Sequence, residues 1–188
     1  MRIHIFLFQR EAGIKMFCVN DTILYGAQGV CRIASIVRES FGSGPVDYYV
    51  LKPVYNDNST IYVPVENGDL TGKMRRILSS EEIIALIRSM PQEDLIWIEN
   101  ENQRKEAYRE IIARGDRTEL VKMIKTLYLH QQQRQAIGKK LHIADERFFK
   151  EAEKMLYDEF ALVLNIKQEE ALPFILEQIE LSEKENGV

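Results

Sequence analysis

The sequence predicts an α+β protein of two domains, a small curled β-sheet or barrel followed by an all-α helical domain. Three observations predict it. Short β-branched and aromatic runs separated by turn residues fill residues 16–72. Apolar residues at helical spacing fill residues 79–184. The change of period falls near residues 70–78, where Gly72-Lys73-Met74-Arg75-Arg76 reads as the joint.

In the β half, Thr22-Ile23-Leu24-Tyr25 is a short strand ended by Gly26. Gly29–Val37 follows, with Val30, Arg32, Ala34 and Ile36 sharing one face by parity. Phe41-Gly42-Ser43-Gly44-Pro45 is a turn cluster. Asp47–Lys52 is the third strand, and Asn56-Asp57-Asn58 is the hairpin signal before the fourth, Thr60–Val65. Pro64 lacks an N–H for a ladder and marks an edge or a strand end.

In the α half, Ser79 with Glu82 three later is a capping box, and Ile83, Ile84 and Ile87 supply an apolar face. Met90-Pro91 stops that helix. A second helix runs from Arg104 to Ile112 and ends at Gly115; Thr118 is read as the cap of a third, closed by Gly138. A fourth begins at Ile143-Ala144-Asp145 and ends at Asn165. The last carries Leu172, Phe174, Ile175 and Ile179, with Pro173 in an early turn. The predicted division is therefore 1–15, a loose arm or an extension upstream of a second start at Met16; 16–72, the β domain; 73–78, a linker; and 79–184, the helical domain.

Of the 188 residues, 25 are Lys or Arg and 29 are Asp or Glu, a net charge of −4 that argues against coating DNA by bulk charge. The acidity is local. Residues 155–188 carry 2 cations against 8 carboxylates, whereas residues 118–154 carry 8 against 5. Arg104-Lys105, Lys122 with Lys125, Arg134 and Lys139-Lys140 are the clusters. They read either as a phosphate-contacting face or as a solvated surface of i,i+4 pairs. Trp97, the single tryptophan, is either a core aromatic or a wedge for a DNA minor groove.

Nothing points to catalysis, a cofactor or a metal. Walker, GxGxxG, HExxH and GxSxG patterns are absent. Cys18 and Cys31 form no CxxC pair, and both read as free thiols of a reducing compartment. His142, three before Asp145, reads as a helix start rather than a ligand. No run is long and apolar enough for a membrane span, so a cytoplasmic monomer is expected.

Met16-Phe17-x-Val19-x-Asp21-x-Ile23-x-Tyr25-Gly26-x-x-Gly29-Val30 resembles the opening of the CarD/CdnL family of bacterial transcription regulators. Tyr48–Lys52 and Ile61–Asn67 resemble its next strands. Gly115-Asp116 followed by Val121-x-x-Ile124-x-x-Leu127, and Leu141-x-x-Ala144-Asp145-Glu146-Arg147, resemble its helical half. The resemblance implies a Tudor/SH3-like N-terminal barrel that binds the RNA polymerase β subunit. It also implies a helical domain that touches promoter DNA upstream of the −10 element, in the minor groove and at phosphates, and stabilises the open complex. On that basis Trp97, Arg104, Lys105, Lys139 and Lys140 are the DNA candidates, and Arg38, Tyr62 and Pro64 the polymerase candidates. The family's wedge position falls at Glu101 here, one helical turn after Trp97, and an arginine of the polymerase face falls at Tyr62. The rival reading is a protein-interaction module without a DNA role. A polymerase-binding piece of a repair translocase would need an ATPase motif, which the sequence lacks.

Overall fold

The computed structural model describes residues 17–185 except 43 and 57, so the expectation for residues 1–15 lies outside the described residues. Strands β1 (Thr22–Tyr25), β2 (Val30–Glu39), β3 (Val46–Pro53), β4 (Ile61–Pro64) and β5 (Met74–Arg76) form one antiparallel sheet in the order β4-β3-β2-β1-β5. A one-turn helix, α1 (Gly68–Thr71), links β4 to β5. Helices α2 (Ser80–Ser89), α3 (Glu101–Arg114), α4 (Arg117–Ala136), α5 (Ile143–Leu164) and α6 (Ala171–Glu185) follow.

The face of β2 that packs into the β-domain core carries Cys31 and Ile33, both fully buried; of the residues sharing the other parity, Arg32, Ala34 and Ile36 are exposed and Val30 is buried. A register shift between Ile33 and Ser35 then bends the strand, as bulges do. Cys31 and Ile33 pack with Ile23, Tyr49, Leu51, Val63 and Met74 in the β-domain core. Each fully buried aliphatic there is worth about 1.5–3 kcal/mol. β4 is an edge and Pro64 its last residue, so the missing N–H of proline falls at a strand end.

The segment read as a linker contains β5, which pairs with β1 through Ile23–Arg76, Leu24–Arg75 and Tyr25–Met74. Three residues are too few to show an alternating pattern, and β1 lies some fifty residues away in sequence. The strand therefore ties the joint to the sheet.

Helix α2 starts with the Ser79–Glu82 capping box. Arg76 donates to both Glu82 oxygens, and this pairing holds the Glu82 pKa down to about 2. The cap of α4 is Asp116, whose carboxylate accepts from the Glu119 N–H; Thr118 sits inside the first turn. His142 caps α5, its Nδ1 accepting from the Ala144 N–H at 3.3 Å. Gly115 and Asn165 end α3 and α5 in the left-handed conformation.

The helical core gathers Ile83, Ile87, Tyr108, Leu120, Met123, Leu127, Leu156 and Phe160, among others. The two domains meet where the Gly26 turn abuts the C-terminal end of α3. Gly26 has φ +44°, and a Cβ there would lie 3.1 Å from the Ala113 carbonyl oxygen. Buried Glu159 completes the junction. It accepts from the Leu78 N–H and from Arg117 Nε and Nη2, and Arg117 in turn donates to the Arg76 carbonyl at 2.7 Å. Tyr55 reaches across from the β domain to donate to the Asp158 carbonyl at 3.1 Å.

Candidate polymerase and nucleic-acid surfaces

Trp97 lies on the extended segment between α2 and α3, and three side chains fix that segment. Lys125 Nζ donates to the Pro91 and Glu93 carbonyls. Thr126 accepts from the Ile96 N–H. Arg104 Nη1 donates to the Ile98 and Glu99 carbonyls. The half-buried indole packs on the helical core. It stacks on His130 with ring centres 3.8 Å apart, and its N–H donates to Glu99. Trp97 is thus a seated aromatic with part of its surface free.

Arg104 is turned into the interior. It is only 6% exposed and holds Asp145 on α5 through Nε at 3.0 Å and Nη2 at 2.9 Å. A fork-to-fork pair of this kind uses the guanidinium donors that a phosphate would need. Lys105 is paired with Glu101 one turn earlier, and Glu101 also faces His142 at 3.6 Å. Lys122 pairs with Glu93.

Lys139 and Lys140 are different. Both are exposed, in the link between α4 and α5, and neither has a carboxylate in ion-pair range among the described residues. Arg134 and Arg147 share that property; Arg134 donates only to the Lys140 carbonyl. Elsewhere in the helical domain most Lys and Arg side chains are paired, among them Arg88, Arg109, Arg114, Lys150, Lys154 and Lys184. Four of the helical-domain cations that lack a carboxylate partner, Arg134, Lys139, Lys140 and Arg147, therefore lie between residues 134 and 147; Lys125, which donates to backbone carbonyls, and Lys167 lie outside that stretch. Arg134 stood among the cation clusters of the sequence without being singled out, and Arg147 was not named at all, because which cations lack a carboxylate is a property of the packed helices.

On the sheet, Tyr62 and Pro64 lie on edge strand β4, opposite Val50 and Tyr48. Arg38 is exposed on β2, opposite Asp47. The structure adds a residue that sequence reasoning left in a turn. Phe41, 64% exposed, stands edge-on to Tyr48 at 5.1 Å and to Tyr62 at 5.3 Å. The three rings form an aromatic patch beside the open β4 edge. The available signal was a large aromatic next to a Gly-Ser-Gly-Pro turn.

Among the described residues no group of His, Cys, Asp or Glu is arranged to hold a metal ion. No helix there is long and apolar enough to cross a membrane. Cys18 is exposed and Cys31 buried, and both are free.

Comparison with protein families fits this architecture. Residues 17–78 match the CarD-like/TRCF RID domain, and residues 82–175 match the CarD C-terminal domain. The chain belongs to the CarD family, a family of RNA polymerase-interacting transcription regulators rather than enzymes. A search of curated proteins found no match.

Proposed function

We propose that this regulator docks the RNA polymerase β subunit through β4 and its aromatic patch, and contacts promoter DNA upstream of the −10 element through its helical domain. In this reading it stabilises the open complex as a single copy in the cytoplasm. The observation that carries the DNA part is the collection of uncompensated cations at residues 134–147 in a chain whose net charge is −4. A cation without an internal partner gains by neutralising a phosphate and releasing its counterion. The affinity required is small, because docking on polymerase supplies a high local concentration of DNA.

Lys139 and Lys140 are the phosphate contacts, Lys105 and Trp97 are further candidates, and Arg104 organises the segment that carries Trp97. Tyr62 and Phe41 supply apolar contact to the polymerase, with Arg38 and Pro64 at the same end of the sheet. The purely protein-binding alternative draws on the burial of Arg104 and the pairing of Lys105.

Two variants separate the readings. Lys139→Glu with Lys140→Glu is expected to shorten the open-complex lifetime and reduce its salt dependence, with polymerase affinity unchanged. Phe41→Ala with Tyr62→Ala is expected to lose polymerase binding itself. An open-complex lifetime unmoved by the double charge reversal would leave the protein-binding alternative.

A further inference from the structure

β5 is the edge of the sheet opposite β4, and beside it a cleft opens at the domain junction. Its volume is about 370 Å³, and its walls are Gly72, Met74, Arg75, Arg76, Leu78 and Arg117. Three of those six are arginines, two from β5 and one from the first turn of α4, and no carboxylate lines the cleft. Like charges gathered so closely repel unless other groups hold them there.

The holding groups are visible. Glu82 takes Nη1 and Nη2 of Arg76, and buried Glu159 takes Nε and Nη2 of Arg117. Arg76 Nη1 also donates to the Ile77 carbonyl, and Arg117 Nη2 to that of Arg76. Arg75 is fixed differently. Its Nε donates to the Arg114 carbonyl at 2.9 Å, while its paired carboxylate, Asp116, stays 3.9 Å from Nη1, beyond hydrogen-bond distance. Among the described residues no hydrogen bond engages the terminal nitrogens of Arg75, Nε of Arg76 or Nη1 of Arg117. These donors belong to residues that line the cleft.

Their chemistry specifies an anion with several oxygen acceptors. Arginine forks match phosphate oxygens, and forks already oriented by the protein lose little freedom on binding. Size and charge limit what carries the phosphate. The volume is that of a small-molecule site, and Met74 and Leu78 add apolar wall beside the guanidiniums. Glu82 and Asp116, both partly exposed, stand next to the arginines. A nucleic-acid strand extends past its contact phosphates and would meet those carboxylates, whereas a compact anion stays within the arginines.

We propose that the cleft between β5 and α4 binds the phosphate groups of a small phosphorylated ligand, with Arg75 as the main contact and Arg76 and Arg117 completing the site. It shares no residue with the polymerase and DNA surfaces proposed above. Its walls belong to both domains, because β5 is part of the sheet and α4 part of the helical bundle. Occupancy therefore ties the domains together at their junction.

The test uses the full chain with inorganic pyrophosphate as the probe and sodium chloride at matched ionic strength as the control. Pyrophosphate is expected to raise the thermal midpoint saturably, as a ligand of the folded state does, and chloride is not. Pyrophosphate should also slow limited proteolysis between residues 72 and 79. Arg75→Gln should weaken pyrophosphate binding in calorimetry by about tenfold or more, the order expected for losing a charged hydrogen-bonding group. Arg75→Lys keeps the charge but loses the fork, and should fall between the two. Lys139→Glu with Lys140→Glu should bind pyrophosphate as the wild type does.

Stabilisation equalled by chloride, or pyrophosphate affinity unchanged in Arg75→Gln and Arg75→Lys, would overturn the proposal. Displacement of pyrophosphate by a short DNA duplex, with the same dependence on Arg75, would also overturn it and assign the cleft to a nucleic-acid backbone.

Discussion

The guanidinium carbon of Arg104 lies 4.3 Å from the centre of the Trp97 ring while two of its nitrogens hold the carboxylate of Asp145. One side chain thereby joins α3, α5 and the segment between α2 and α3. Removing it leaves Asp145 buried without its partner. Arg104→Ala is expected to lower stability by about 3–5 kcal/mol, the usual consequence of breaking a buried ion pair. Replacing both partners, Arg104→Met with Asp145→Leu, should cost less than the single change. Urea titrations of the three variants read the difference.

His130 gives that site a pH dependence. Burial lowers its pKa, and Arg134 acts in the same direction; Arg104 opposes its charge too, while Asp145 and Glu99 favour it. An unfolded histidine titrates near ~6.5. Because the folded value is lower, the unfolded chain binds the proton more readily, so this contribution is complete above ~6.5 and lost as the pH falls through the folded value. Trp97, the only tryptophan, reports it directly, since a protonated imidazole quenches a stacked indole. Fluorescence should fall on acidification with a midpoint below ~6.5, and His130→Asn should abolish that step.

Tyr108 is fully buried, and its hydroxyl has no hydrogen-bond partner; burial and the nearby Asp145 push its pKa up to about 12. Tyr108→Phe removes an unsatisfied polar atom without opening a cavity. Stability is expected to stay level or rise by about 1 kcal/mol in chemical denaturation.

The junction depends on Glu159, which is 0% exposed. Glu159→Ala leaves Arg117 and the Leu78 N–H without their acceptor, with an expected loss of about 3 kcal/mol. Limited proteolysis should then show early cleavage between residues 72 and 79, a site protected in the wild type by β5 and the Glu159 contact.

Gly26 tests the contact between the domains. Alanine there meets both a positive φ and the Ala113 carbonyl at 3.1 Å. Gly26→Ala is expected to lose about 1–2 kcal/mol from the left-handed backbone alone, read as a lower thermal midpoint. Gly138→Ala has a comparable positive φ of +70° but nothing within 4 Å, and so isolates the backbone part.

The change of period from 2 to 3.6 made the two-domain layout legible, and local signals placed the Ser79–Glu82 box and the Gly115 and Asn165 helix ends. The His142 helix start was equally local. What escaped the sequence depends on distant partners. β5 is a strand only because β1 is beside it. Arg104 looked like a phosphate contact because its neighbour is Lys105, but Asp145, forty-one residues on, takes its guanidinium into the interior. Ile143 read as an ordinary helix residue, and only the packing of α5 shows that nothing covers it.

Helix α5 has a further consequence. Glu159, at the junction, and Ile143, at the tip, are sixteen residues apart on one continuous helix. At 1.5 Å per residue, that helix is a strut of about 24 Å. The reach from the sheet-side anchor to the tip is then set by counting residues. Inserting one turn would move the tip outward by about 5.4 Å with nearly the same facing, whereas inserting two residues would swing it to another side. The length of α5 works as a ruler, fixing how far the α4–α5 link stands from the domain junction.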